Sequence, residues 1–166
     1  MAKITFKGEP FNTYASLPAK GVQAPDFTLT GSDLEDYSKS DFKEKNIVLN
    51  IFPSLDTSVC AATVRKFNEK AASLKNTVVL CVSMDLPFAH QRFCEAEGIS
   101  DVSTMSAFRH PEFGRDYGVV ITDGPLVGLL SRAVVVISAG DEVVHAQQVP
   151  EIAEEPDYSS ALDVLR

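Results

Sequence analysis

The chain has no tryptophan, and it holds only three cysteines and three histidines among its 166 residues. No two cysteines are separated by just two other residues, so the C-x-x-C pair of dithiol reductases and of compact zinc sites is absent. Basic residues are also few: 15 Lys and Arg oppose 23 Asp and Glu, and the net charge of −8 argues against a nucleic acid or an anionic membrane as partner. No apolar run is long enough to span a bilayer, and the start, MAKITFKGEP, lacks the apolar stretch of a signal peptide. These absences predict a cytoplasmic protein.

What is present is the composition of a globular protein, with 45% apolar and 23% charged residues. The length predicts one domain over residues 1–166. In a reducing compartment three cysteines do not form a static disulfide framework. Each cysteine is therefore a core residue, a metal ligand or a reactive thiol.

Apolar periodicity predicts strands and helices in an order that is typical of one fold class. An N-terminal β-hairpin is expected over Lys3–Lys7 and Phe11–Ala15, around Gly8-Glu9-Pro10. Further strands are expected at Asp26–Thr30, Asn46–Phe52, Thr77–Ser83, Arg132–Ser138 and Glu142–Gln148. Helices are expected from Cys60 to Leu74, from Leu86 to Gly98, over Phe108–Tyr117 and over Tyr158–Leu165, with Asp85 and Asp157 as caps. This order predicts an α/β protein of the thioredoxin-like fold, with a mixed central β-sheet flanked by helices and an added N-terminal β-hairpin.

Cys60 lies in the first turn of a predicted helix, which Thr57 or Ser58 can cap. Free backbone N–H groups and the positive end of the helix dipole favour thiolate over thiol there, and the thiolate is the nucleophile. Cys60 also begins an apolar stripe that runs at helical spacing to Leu74, so a buried core cysteine is the alternative. The helix position alone leaves both interpretations open.

Cys60 also completes a P-x-x-x-T-x-x-C spacing with Pro53 and Thr57, on the connection between a strand and a helix. Pro53 ends the strand, has no N–H group and can shield the thiol from solvent. Thr57 offers a hydroxyl, one helical turn before the sulfur, that can donate to or accept from a bound ligand. The segment itself supplies no cation to hold a thiolate.

This spacing resembles the active-site signature of the peroxiredoxins. Other segments resemble the bacterial thiol peroxidases, an atypical 2-Cys peroxiredoxin subfamily: Asn50-Ile51-Phe52-Pro53, Asp85-Leu86-Pro87-Phe88-Ala89, Arg92-Phe93-Cys94, Ser131-Arg132-Ala133-Val134-Val135-Val136 and Glu155-Pro156-Asp157-Tyr158. The resemblance covers essentially the whole chain.

The resemblance implies that Cys60 is the peroxidatic cysteine and Cys94 the resolving cysteine of the same chain. It implies that Thr57 hydrogen-bonds to the thiolate and to the peroxide, and that Pro53 shields the pocket. It also makes Arg132 the missing cation. From the residues alone, Arg132 at the start of a Val-rich strand would be interpreted as a solvated edge charge.

The implied reaction reduces hydrogen peroxide and alkyl hydroperoxides without a cofactor or metal. It passes through a sulfenic acid on Cys60 and a Cys60–Cys94 disulfide that thioredoxin reduces. The resemblance also implies a homodimer. Because a disulfide needs Cα atoms within about 4.4–6.8 Å, and the two cysteines lie on separate predicted helices, we expect local unwinding around both. Gly98, close to Cys94, makes fraying there easy.

Other interpretations stay open. Cys81 lies inside an apolar strand and is expected to be a core residue. His90-x-x-x-Cys94 puts two types of metal ligand on one helical face, which His110, His145 and the other cysteines could join. A thioredoxin-like reductase would lack its vicinal cysteine pair. A non-catalytic redox sensor would use the same cysteines and relay oxidation to a partner protein, and only turnover with peroxide distinguishes it.

Overall fold

A computed structural model describes all of residues 1–166. Its strands are β1 Lys3–Phe6, β2 Glu9–Asn12, β3 Thr28–Gly31, β4 Asp36–Ser38, β5 Asn46–Ile51, β6 Thr77–Ser83, β7 Ser103–Ser106, β8 Ala133–Ile137 and β9 Val143–Gln148. Its α-helices are α1 Ser58–Ala71, α2 Pro87–Glu97, α3 Glu112–Asp116 and α4 Tyr158–Asp163, and a 3-10 helix covers Lys39–Phe42. None of the helices has both the length and the apolar character needed to cross a membrane.

Seven strands form one mixed sheet in the order β4-β3-β7-β6-β5-β8-β9, and β1 and β2 form a separate two-stranded sheet. β5, β6 and β7 run parallel, and the crossovers between them contain α1 and α2. β8 and β9 form a hairpin whose first strand pairs antiparallel with β5. The predicted α/β thioredoxin-like fold, with a mixed central sheet and an added N-terminal hairpin, is confirmed.

Alternate residues of the central strands face two separate cores. On β5, Leu49 enters a cluster with Phe113 of α3, whereas Val48 enters a cluster with residues of α1, α2 and α4. The second cluster also contains Cys60 and Cys81. Helices therefore cover both faces of the sheet, and the two helices that carry Cys60 and Cys94 share one face.

The N-terminal hairpin turns at Lys7-Gly8 rather than around Gly8-Glu9-Pro10 as predicted. Both turn residues have positive φ angles, 52° and 82°, which is the turn geometry that matches the twist of two antiparallel strands. Pro10 consequently lies inside β2, opposite Thr5. It removes no ladder hydrogen bond, because both backbone groups of Thr5 face away from β2: the N–H donates to Pro150 O and the carbonyl accepts the Ile152 N–H.

Two further differences concern α2 and α3. Asp85 was predicted to cap α2, but it does not. The N-cap position is Leu86, and no side chain forms a capping hydrogen bond there. Gly98 ends α2 with a φ of 65°, as predicted for its stop. A helix was expected over Phe108–Tyr117, but α3 covers only Glu112–Asp116, because Pro111 is at the N-cap position.

Candidate active site

The connection between β5 and α1 places Cys60 in the protein interior. Pro53 is buried after the end of the strand, and α1 begins at Ser58, so Cys60 is the third residue of the helix and has no exposed surface. The N-cap is Thr57, whose hydroxyl accepts the Cys60 N–H at 3.4 Å. The sulfur therefore lies in the first helical turn, where free N–H groups and the helix dipole favour negative charge.

Arg132 lies directly against the Cys60 sulfur. Ala133 of β8 pairs with Ile51 of β5, and this register places Arg132 beside the segment that leads to Cys60. The Arg132 Nη2 donates to Cys60 Sγ at 3.1 Å, and its Nε donates to the Ile152 carbonyl at 2.7 Å. Its side chain is only 2% exposed, so Arg132 is not a solvated edge charge.

The buried guanidinium of Arg132 has no carboxylate partner: none of the nine salt bridges in the protein includes it. Lys39, the other buried cation, contacts Asp141 at 2.7 Å and Asp26 at 3.3 Å. A buried charge is costly unless an opposite charge compensates it. For Arg132 the acceptor in contact that can take a negative charge is the Cys60 sulfur.

The N-terminal hairpin holds the carbonyl that orients Arg132. The Thr5 N–H donates to the Pro150 carbonyl at 2.8 Å, and the Ile152 N–H donates to the Thr5 carbonyl at 2.9 Å. These two bonds align residues 150–152 with β1. The Glu151 carboxylate accepts two backbone N–H groups, each at 2.9 Å, and hydrogen bonds of this kind lower its pKa. No residue type in the sequence predicts this arrangement, because the group that contacts Arg132 is a backbone carbonyl.

The Thr57 hydroxyl bonds to the backbone rather than to the sulfur. It donates to the Ser54 carbonyl at 3.1 Å while it accepts the Cys60 N–H. The hydrogen bond to the thiolate that the resemblance implied is therefore not formed in this state of the protein. Thr57 instead fixes the start of α1.

A buried polar chain fastens the first turn of α1 to β5. Asn50 Nδ2 donates to Thr63 Oγ1 at 3.3 Å, and the Thr63 hydroxyl donates to the Cys60 carbonyl at 2.8 Å. All three residues are fully buried. Sequence inspection missed this role, although a polar Asn50 inside an apolar strand was a visible signal.

The other two thiols lie in different surroundings. Cys81 is fully buried on β6, and burial raises its pKa to about 12. Cys94 is half-buried near the end of α2, 3.9 Å from Thr104 Oγ1, and burial raises its pKa as well. None of the three cysteines is in a disulfide. Gly98 and Ile99 both donate their N–H groups to the Cys94 carbonyl, so Cys94 belongs to the last turn of α2.

No group of three or more His, Cys, Asp or Glu side chains is arranged to hold a metal ion. The structure thus gives no support to a metal site formed by His90, Cys94 and the other candidate ligands.

His90 provides a test of this region by pH. The ring is fully buried with Nε2 at 2.8 Å from Ser83 Oγ, and burial lowers its pKa to about 4 although Asp85 opposes the shift. The unfolded chain therefore takes up a proton first as the pH falls through about 6.5. The stability contributed by the neutral ring is complete above that pH and is lost towards about pH 4. A shift of this size corresponds to about 3 kcal/mol.

We expect the free energy of unfolding to fall more steeply in wild-type protein than in His90→Asn over this pH range. Urea unfolding of both proteins at several pH values measures the difference. Parallel curves would show that His90 does not titrate with folding.

Comparisons with known proteins show the family of the chain. Residues 19–165 match the Redoxin family, and the chain belongs to that family. It is 56% identical over 165 residues to the thiol peroxidase of Mycobacterium tuberculosis (strain ATCC 25618 / H37Rv), with 99% of each chain covered. The predicted membership among the bacterial thiol peroxidases is thereby confirmed.

Solved structures show the same fold. A peroxiredoxin-like protein from Aquifex aeolicus superposes with a TM-score of 0.94 at 38% identity, covering 99% of this chain and 96% of that one. The thiol peroxidase from Chromobacterium violaceum has a TM-score of 0.87 at 20% identity, covering 98% and 94% of the two chains.

Proposed function

We propose that this chain is a thiol-dependent peroxidase that reduces hydrogen peroxide and alkyl hydroperoxides, with Cys60 as its nucleophile. The observation that carries the proposal is the 3.1 Å contact between Arg132 Nη2 and Cys60 Sγ, in which a buried cation has no carboxylate partner. The reaction class agrees with membership of the thiol peroxidases.

In the first step the Cys60 thiolate attacks the terminal oxygen of ROOH. A sulfur–oxygen bond forms, the O–O bond breaks, and its electron pair leaves with RO⁻, which takes a proton to become ROH. Cys60 is left as a sulfenic acid.

Arg132 and the first turn of α1 stabilise the developing charge. The Arg132 Nη1 group is buried and has no hydrogen-bond partner, so it is a donor available to a peroxide oxygen. Free N–H groups at the helix start add to this field. Pro53, buried beside the loop, keeps solvent from the sulfur, and Thr57 holds the helix start in place.

In the second step Cys94 attacks the sulfenic sulfur of Cys60, a disulfide forms and water leaves. The two cysteines occupy α1 and α2, and no disulfide joins them in the folded protein. The first turn of α1 and the last turn of α2 therefore unwind during turnover. A thioredoxin-type dithiol then reduces the disulfide by exchange and is itself oxidised.

We also propose that the protein is a single-domain homodimer of the cytoplasm. Leu86, Phe88 and Phe108 are large apolar side chains, between 46% and 64% exposed, at a surface next to α2. An exposed apolar patch of this kind supports association with a second copy.

Coupled turnover tests the function. Purified protein with thioredoxin, thioredoxin reductase, NADPH and a hydroperoxide should oxidise NADPH catalytically and in proportion to the peroxide consumed. A non-catalytic sensor would consume one equivalent of peroxide and stop, so continued turnover separates the two interpretations.

We expect Cys94→Ser protein to reduce one equivalent of peroxide per chain but to lose thioredoxin-coupled turnover. The serine cannot form the disulfide that thioredoxin recognises, whereas Cys60 keeps its surroundings. Cys81→Ser is the control and should turn over like wild-type protein. Full coupled turnover by Cys94→Ser would overturn the role of Cys94.

A further inference from the structure

The carboxylate of Asp85 bridges the segments that lead to the two catalytic cysteines. Its Oδ1 accepts the Ser54 hydroxyl at 2.8 Å, and its Oδ2 accepts the Leu55 N–H at 2.8 Å. Ser54 and Leu55 belong to the loop before α1, which carries Cys60. Asp85 stands two residues before α2, which carries Cys94.

The same carboxylate is connected by hydrogen bonds to His90 of α2 through the buried hydroxyl of Ser83. Ser83 Oγ donates to Asp85 Oδ2 at 2.6 Å. A hydroxyl has one proton, so at the 2.8 Å contact with His90 the ring Nε2–H donates to Ser83 Oγ. His90 lies one helical turn before Cys94. A continuous hydrogen-bonded chain therefore runs from the Cys60 loop to the helix of Cys94.

The loop held by Asp85 sets the position of Cys60. The Ser54 carbonyl accepts the Thr57 hydroxyl at 3.1 Å, and Thr57 in turn accepts the Cys60 N–H at 3.4 Å. A shift of Ser54 away from Asp85 would therefore move the N-cap of α1 and the sulfur that follows it.

We propose that Asp85 is a positioning residue that holds the Cys60 loop and the start of α2 together in the peroxide-reactive form, and that releasing it lets both segments open for disulfide formation. This inference rests on the proposed function. The Asp85 side chain is 12% exposed, so water does not readily replace its partners. Breaking one contact leaves shielded polar groups unsatisfied, which favours opening of the contacts together.

Asp85→Asn tests the proposal at nearly constant volume. The amide keeps one acceptor oxygen and turns an NH₂ group towards donors, so at least one of Ser54, Leu55 and Ser83 loses its acceptor. We expect oxidation of Cys60 by peroxide to slow by about tenfold or more, because the loss of one hydrogen bond to a charged group has an effect of this size. We expect formation of the Cys60–Cys94 disulfide to accelerate. Quenched-flow mass spectrometry of the thiol, sulfenic and disulfide forms measures both rates.

Two further variants separate positioning from stability. Asp157 accepts the Ser160 N–H at 3.0 Å and the Ser160 hydroxyl at 2.6 Å, the same kinds of bond at the start of α4. Asp157→Ala should lower the thermal midpoint and leave the ratio of the two rates unchanged. Ser54→Ala removes one Asp85 contact and should shift the ratio in the same direction by less, which keeps the test decisive if Asp85→Asn does not fold.

The outcomes distinguish this inference from the proposed function. If wild-type protein consumes no peroxide, both fail. If wild-type protein consumes peroxide, but the two rates fall together or stay unchanged in the folded Asp85 and Ser54 variants, the positioning role alone is overturned.

Discussion

Cys60→Ser protein should show no peroxide consumption above the level of buffer. A serine hydroxyl at this helix start is a far weaker nucleophile than a thiolate, and no other cysteine replaces it. Burial raises the pKa of Cys81 to about 12 and also raises the pKa of Cys94, so both remain thiols at neutral pH. Loss of hydroperoxide in the presence of thioredoxin and its reductase measures the effect.

Cys81→Ser is the matched control, because it replaces a buried cysteine on the same face of the sheet. Its peroxide consumption should equal that of wild-type protein. Residual peroxidase activity in Cys60→Ser that disappears in the double Cys60→Ser, Cys81→Ser variant would assign the nucleophile to Cys81 instead.

Arg132→Met should slow the oxidation of Cys60 by about 10²–10³-fold, the range found when a donor to a developing oxyanion is removed. The methionine fills part of the space but supplies no charge to the sulfur and no donor to the Ile152 carbonyl. Arg132→Lys should recover only part of the rate, because one ammonium cannot reproduce the planar fork that contacts Cys60 and Ile152 together. Single-turnover oxidation followed by mass spectrometry measures the rate, since the chain has no tryptophan to report it.

Arg92→Met is the control for loss of a positive charge near the same loop. Arg92 is 69% exposed and contacts Asp56 at 3.5 Å, a surface ion pair of little energetic consequence. Its oxidation rate should match that of wild-type protein. Equal losses in the Arg92 and Arg132 variants would mean that net charge, and not the buried contact, controls the reaction.

The central strands show how far apolar periodicity predicts the fold. The strand expected at Thr77–Ser83 is β6 with the same bounds, and β5 ends one residue before the expected Phe52. These runs are apolar on both faces because helices cover both sides of the sheet. β4 and the 3-10 helix escaped prediction, since elements of three or four residues have no measurable period.

In the candidate site, residues whose roles depend on sequence neighbours were predictable, and those whose roles depend on distant contacts were not. The position of Cys60 in the first turn of a helix follows from neighbouring residues and was predicted. Of the two predicted cap candidates, Thr57 and Ser58, Thr57 is the N-cap. Arg132 is 72 residues away from Cys60, and only the pairing of β8 with β5 brings them together. No local pattern specifies that register, so the resemblance was needed to select Arg132. Asp85 was selected as a cap, but its carboxylate accepts hydrogen bonds from Ser54 and Leu55 of a different segment, and from the nearby Ser83.

The most direct test of the account is to trap the sulfenic acid in Cys94→Ser protein. One equivalent of an alkyl hydroperoxide is added in the presence of dimedone, and the adduct is located by mass spectrometry. We predict one adduct per chain, on Cys60, with Cys81 still a free thiol. An adduct on Cys81, or consumption of peroxide without any adduct on Cys60, would contradict the claim that the sulfur beside Arg132 is the nucleophile.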